Sequence, residues 1–176
     1  MSADDKCMAL ALKAAEVALA LGEFPVGCVI MRGADVVVTG ARRGTGDGGG
    51  RASELDHAEI LALRSLESMD IDREKLTLYC TMEPCLMCFA AIMLSGIKKV
   101  VFAYEDDMGG GTMCDRSRLS PLYRDYNIKV VSGVMRGKSL DLFYRFFSGP
   151  ENVYWKGSLL EQYTLEQGKL SLDAAI

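Results

Sequence analysis

The chain is poor in histidine, basic charge and long apolar runs. It has a single histidine, His57, so any site that needs an imidazole has one candidate. Lys and Arg number 20 against 24 Asp and Glu, for a net charge of −4. A protein that neutralises many phosphates normally carries a basic excess, so the balance disfavours tRNA as a partner unless a local patch exists. The opening Met1-Ser2-Ala3-Asp4-Asp5 has no basic stretch ahead of an apolar run, so it does not read as a signal peptide. No segment has the roughly 20 apolar residues that span a bilayer. A cytoplasmic protein without membrane contact is the expectation. No Gly-Lys-Ser/Thr follows the glycine-rich stretch at 42–56, which excludes a phosphate-binding P-loop. That stretch reads either as a solvated loop or as a flap leading into His57.

What is present includes six cysteines in a chain expected to be reduced, which points to thiols and metal ligation, not disulfides. Cys7, Cys28, Cys80 and Cys114 read as small buried hydrophobes, Cys114 least securely because its surroundings are loop-like. Cys85 and Cys88 are different. They sit in Pro84-Cys85-Leu86-Met87-Cys88, downstream of His57-Ala58-Glu59. One imidazole and two thiolates suit Zn²⁺, and three protein ligands leave a fourth position open, as in a catalytic site. A structural site would need a fourth protein ligand. Cys80 is the one nearby candidate, and its apolar strand argues against it. Glu59, two residues from the proposed ligand, is placed to move protons for water acting at the metal. Glu83, just before the Pro-Cys pair, reads as a helix-start or backbone-bonding residue and not as a second acid.

The apolar pattern gives the scaffold. Met8, Ala11, Leu12, Ala15, Ala18 and Leu19 mark a helix over 4–21, stopped at Gly22. Strands follow at 28–31 and 36–39, joined by the turn Arg32-Gly33-Ala34-Asp35. Asp56 is a candidate N-cap for a helix over 57–68, with Ile60, Leu61, Leu63 and Leu66 inward. A strand over 75–81 leads to a second helix with Pro84 in its first position, ending near Gly96. Further strands are expected at 99–103 and 127–132, and a helix at 139–147, with a glycine-containing loop over 105–121. Strand–helix alternation argues for a layered α/β fold. Residues 150–176 are expected to pack as a helix on the domain or on a neighbouring subunit. Tyr154 or Trp155 is either core or a ring that closes over a bound base.

The His-Ala-Glu and Pro-Cys-x-x-Cys pair resembles the zinc-dependent cytidine/deoxycytidylate deaminase superfamily. Glu23-Phe24-Pro25-Val26-Gly27, His57 to Leu63, Leu76-Thr77-Leu78-Tyr79 and Val100-Val101-Phe102 are similar to its bacterial tRNA adenosine deaminase and nucleobase deaminase branch. The resemblance covers about residues 5–147. It implies a three-layer α/β/α fold with a central mixed sheet of about five strands flanked by helices. It further implies a deaminase domain over 1–149, one Zn²⁺ per subunit, and a homodimer or larger homo-oligomer. The implied activity is hydrolytic release of ammonia from an exocyclic amine of a small purine or pyrimidine base, nucleoside or nucleotide. Wobble adenosine in tRNA is the alternative, and a non-enzymatic protein with a structural zinc the third reading. Substrate contacts are expected from Phe24, Val26, Arg42, Ala58, Pro84, Tyr104 and Asp106. Arg42 stands where that branch has an Asn, and Tyr104 where it has a small residue, so Tyr104 would narrow the pocket, line it with a ring, or pack on the sheet as a strand-end residue.

Overall fold

The structure is a computed structural model that describes residues 1–45 and 53–173. Much of the expected flap, 46–52, therefore lies outside the described residues. The elements run α1 (Ala3–Ala20), β1 (Gly27–Arg32), β2 (Asp35–Ala41), α2 (Ala58–Leu66), β3 (Leu76–Met82), α3 (Leu86–Leu94), β4 (Lys99–Tyr104), α4 (Pro121–Arg124), β5 (Lys129–Val131), α5 (Arg136–Phe147) and α6 (Leu159–Asp173). The strands form one sheet in the order β2-β1-β3-β4-β5. β1 pairs antiparallel with β2 and β3, while β3–β4 and β4–β5 are parallel. The sheet is thus mixed and five-stranded, with helices on both faces.

Alternation along the strands makes the two layers. Val29, Met31, Tyr79, Val101 and Ala103 face α1, meeting Cys7, Met8, Ala11, Leu12 and Ala15. Cys28, Ile30, Leu78, Cys80, Val100 and Phe102 face the other way, onto α2 and α3 through Ala62, Leu66, Phe89 and Ile92. α1 starts on a capping box: Asp5 N–H donates to Ser2 Oγ and Ser2 N–H donates back to Asp5 Oδ2. α6 packs on α5, and its Tyr163 hydroxyl donates to Glu105 at 2.7 Å, tying it to the loop after β4. Among the described residues no helix is long and apolar enough to cross a membrane.

Several local expectations shift. α2 buries Ala58, Glu59, Ala62, Leu63 and Leu66, while Ile60 and Leu61 are only half-buried. The small residues turn inward because α2 lies close on β2: a Cβ added at Gly40 would sit 2.3 Å from the Ala58 carbonyl oxygen and 3.1 Å from the Ala62 Cβ. His57, not Asp56, is the N-cap of α2. α3 starts at Leu86, so Pro84 precedes the helix instead of opening it. Cys85 is held extended there by a bridge to Gly110, and the Gly111 N–H donates to the Pro84 carbonyl at 2.9 Å. β5 is shorter than expected, α5 begins earlier, and the loop over 105–121 contains a 3-10 turn at Arg116–Arg118.

Candidate active site

α2 and α3 both begin at the end of the sheet formed by the C-terminal end of β3, and each places a metal-ligand type in its N-cap position. His57 and Cys85 are the two N-caps, with extended backbone at ψ 147° and 170° and no side-chain capping bond. Their side chains are therefore free to point at each other and not back onto helix amides. Cys88 lies one turn into α3, on the same side as Cys85. His57 Nδ1 lies 3.6 Å from Cys85 Sγ and 3.4 Å from Cys88 Sγ. All three ligand atoms fall within 4.8 Å of one another.

The donor set fits a zinc ion. It offers one imidazole nitrogen and two sulfurs, and among the described residues the cluster contains these three alone, the count that would leave a coordination position for a non-protein ligand. Cys80 does not complete it: its thiol donates to the Met82 carbonyl at 2.8 Å, and burial pushes it well above the ordinary thiol range. The three side chains perturb one another's proton affinities. The Cys85 thiol is lowered to about 4, first by the hydrogen bond that Cys88 donates to it, then against burial by the imidazole. Cys88 is pushed far up as the proton carrier of the pair. Burial alone would lower His57, but the Cys85 sulfur and the Glu59 carboxylate hold it above its usual value. Two sulfurs and an imidazole nitrogen gathered within 4.8 Å are a donor set that a divalent cation would complete.

Glu59 lies one turn-step from His57 at the start of α2 and is 3% exposed. Its Oε2 is buried with no hydrogen-bond partner among the described residues. Burial raises its carboxyl above the usual carboxylate range. Beside the trio opens a cavity of about 110 Å³. Its wall includes Glu59, His57, Cys85, Phe24, Val26 and Arg42. The C-terminal segment adds Tyr154, Trp155 and Leu160. Tyr154 packs edge-on or tilted against Phe24 and Trp155, at ring separations of 5.4 and 5.8 Å. Trp155 holds φ at 56°, a left-handed backbone that bulky residues rarely adopt.

Residues 1–104 match the profile of the cytidine and deoxycytidylate deaminase zinc-binding region. The chain belongs to this family. It is 36% identical to the tRNA-specific adenosine deaminase of Haemophilus influenzae over 82% of this chain and 83% of that one. It is 35% identical to a probable cytosine deaminase of Schizosaccharomyces pombe over 55% of this chain and 57% of that one. A structure solved in a study of A-to-I editing by tRNA:A34 deaminases superposes with a TM-score of 0.65 at 28% identity, covering 78% of this chain and 98% of that one. The protein is thus a deaminase of the tRNA-adenosine-deaminase-like branch, an enzyme of hydrolytic base deamination.

On this deaminase the residues expected at the substrate divide. Phe24, Val26, Arg42, Ala58 and Asp106 line the cavity. Pro84 and Tyr104 are not among its lining residues. Tyr104 is fully buried, stacked between Phe143 and Tyr163, with its hydroxyl 3.1 Å from Thr164 Oγ1. At the end of β4 its ring packs against α5 and α6, which removes it as a ring in the pocket. Asp106 folds its carboxylate back on its own loop, accepting from the Met108 and Gly109 N–H groups at 3.0 and 2.9 Å. Glu83 clamps that same loop, accepting from Asp106 N–H at 3.3 Å and Thr112 N–H at 3.2 Å, the backbone-bonding role expected of it. Met82, Met108 and Leu160 also line the cavity without any sequence signal. They are ordinary apolar residues whose placement depends on contacts far along the chain.

Proposed function

We propose that this deaminase is zinc-dependent and acts on a small free purine or pyrimidine base, with His57, Cys85 and Cys88 as the metal ligands and Glu59 as the proton carrier. The observation that carries the choice of substrate size is the cavity itself. At about 110 Å³ it falls well below the roughly 300–1,000 Å³ of pockets for larger ligands, and Tyr154, Trp155 and Leu160 wall it from the C-terminal side. A base within a polynucleotide would need the mouth open to its sugar and flanking nucleotides. The net charge of −4 also argues against a polyanion.

Zinc held by the trio would supply the acidity that makes water a nucleophile at neutral pH. Glu59 takes a proton from the attacking water and gives it to the ring nitrogen beside the amine-bearing carbon. It then carries the second proton to the departing amine. The carbon–nitrogen bond breaks, ammonia leaves, and the oxygen of the water remains as the carbonyl of the product. Its burial and vacant Oε2 suit a group that must gain and lose a proton during turnover. Phe24, Val26 and Tyr154 supply flat apolar contact for the base.

The remaining parts of the reading are that residues 1–149 form the deaminase domain, that 150–176 extend it over the site, and that the protein is a cytoplasmic homodimer. The exposed Leu86 and Leu94 of α3, 59% and 60% accessible, support the dimer as an apolar face. The test is an ammonia-release screen of the zinc-loaded protein across cytosine, guanine, adenine, their nucleosides and nucleotides, and tRNA. Turnover of a free base is expected. The identity to tRNA-specific adenosine deaminases favours the second reading, and a salt-sensitive tRNA gel shift with turnover on tRNA alone would establish it in place of the first.

A further inference from the structure

Two buried side-chain polar atoms lack a hydrogen-bond partner among the described residues, and both belong to residues of the same cavity wall: Glu59 Oε2 and Arg42 Nη1. The carboxylate is accounted for by proton transfer. The guanidinium is not. Native folds seldom leave a charged donor buried and unpaired unless something outside the chain completes it.

The rest of Arg42 is fixed in place. Its residue is 3% exposed. Its backbone N–H donates to the Val26 carbonyl at 2.9 Å, which ties the end of β2 to another lining residue. Nη2 donates to the Ser53 carbonyl at 2.8 Å, the Tyr154 hydroxyl at 3.3 Å and Glu54 Oε2 at 3.4 Å. These bonds hold the planar guanidinium through Nη2 and leave Nη1, with its two N–H groups, unpaired on a residue of the cavity wall.

We infer, on the reading that this site deaminates a free base, that Arg42 Nη1 is the specificity donor of the pocket and that it takes a carbonyl oxygen of the substrate. The substrate class is then an amino-oxo base such as guanine or cytosine, and adenine is disfavoured. A carbonyl oxygen, the strongest neutral acceptor on such a base, takes one Nη1 N–H in the base plane. Adenine has no oxygen and presents a C–H edge or a weaker ring nitrogen in its place. Meeting a C–H there would leave the charged donor buried and unpaired, the kind of penalty by which enzymes reject analogues lacking a bonded group. A phosphate is a poorer occupant, because Glu54 already faces the same guanidinium.

The test compares matched substrates that differ in the carbonyl oxygen: guanine with 2-aminopurine, and cytosine with 4-aminopyrimidine. For zinc-loaded wild type, kcat/KM is expected to favour the oxo member by about 10- to 100-fold, the size of one hydrogen bond to a charged group. In R42A that ratio should fall to within about threefold, mainly through KM, and R42Q, which keeps a neutral donor, should be intermediate. A structural role alone would lower both members alike, and an unchanged ratio overturns the proposal. Faster turnover of adenine than of guanine and cytosine also overturns it while leaving the deaminase reading intact. Binding of the same pairs to zinc-loaded E59Q, measured by calorimetry, needs neither turnover nor an Arg42 variant. Preference for the oxo member there supports the donor even if no ammonia is released, an outcome that would defeat the reaction and not the recognition; equal affinity rejects it.

Discussion

The proposed metal ligands and the cavity wall beside them come from two short segments, 57–59 and 85–88, each fixed at the start of a helix that packs on the sheet. The rest of the lining is assembled from distant pieces: Arg42 after β2, Met108 in the clamped loop, and Tyr154, Trp155 and Leu160 near the C-terminus. The first region needs ångström-level placement, and helix N-termini on a close-packed sheet provide it. The second needs to match a ligand's outline, and loops and an added helix can vary without disturbing the chemistry. Reactivity and selectivity therefore sit on separately replaceable parts of the same cavity.

The largest effect should come from breaking the first region at its ligands. H57A, C85A and C88A should each lose bound zinc, measured by elemental analysis of purified protein, and ammonia release should fall to background. E59Q separates chemistry from metal: zinc content should stay near wild type while kcat drops by about 10²- to 10⁴-fold. G40A tests the seating of α2 on β2, where the new Cβ would meet the Ala58 carbonyl oxygen. It should cost about 1–3 kcal/mol, read as a lowered thermal midpoint, with a parallel loss of zinc affinity.

The second region should answer differently. W155A removes a lining ring and should raise KM by roughly 3- to 10-fold, with kcat changed less, since stacking contributes equally to ground and transition states. Last, D4N acts on the opposite face of the sheet, where Asp4 accepts from the Tyr79 hydroxyl at 2.6 Å and Lys99 at 2.9 Å. The Tyr79 hydrogen bond, opposed by burial and helped by Lys99, holds the Asp4 carboxyl below its ordinary value. Its stabilising contribution is therefore present above the unfolded carboxylate value near 4 and is lost as pH falls through the lowered folded value. D4N should cost less than about 1 kcal/mol at pH 7, less still once the Asp4 carboxyl is protonated in both the folded and the unfolded chain, and no activity.

The same division explains what could be read from the residues. That His57, Cys85 and Cys88 come together beside Glu59 was legible because each lies in a short motif at the start of a helix. The five strands were legible from their β-branched runs, and α1 from its apolar period. The start of α3 was not, because Cys85 is drawn into a bridge with Gly110, 25 positions away (110 − 85). Tyr104 was misplaced because a strand's alternation does not say which helix covers a given face. Arg42 was visible as a departure from the family's Asn, but its burial was not, since it depends on Tyr154, 112 residues further on. Met108 and Leu160 carry no local signature, and they reach the cavity only through the Glu83 clamp on one side and the packing of α6 on α5 on the other.

An X-ray absorption spectrum of the zinc-loaded protein at the metal edge addresses the open coordination position directly. The expected shell is two sulfurs near about 2.3 Å, one imidazole nitrogen near about 2.0 Å, and one oxygen that exchanges when a base or base analogue is added. A shell of three sulfurs and one nitrogen, unchanged by any base, would mean a closed structural ion and would contradict catalysis at this site.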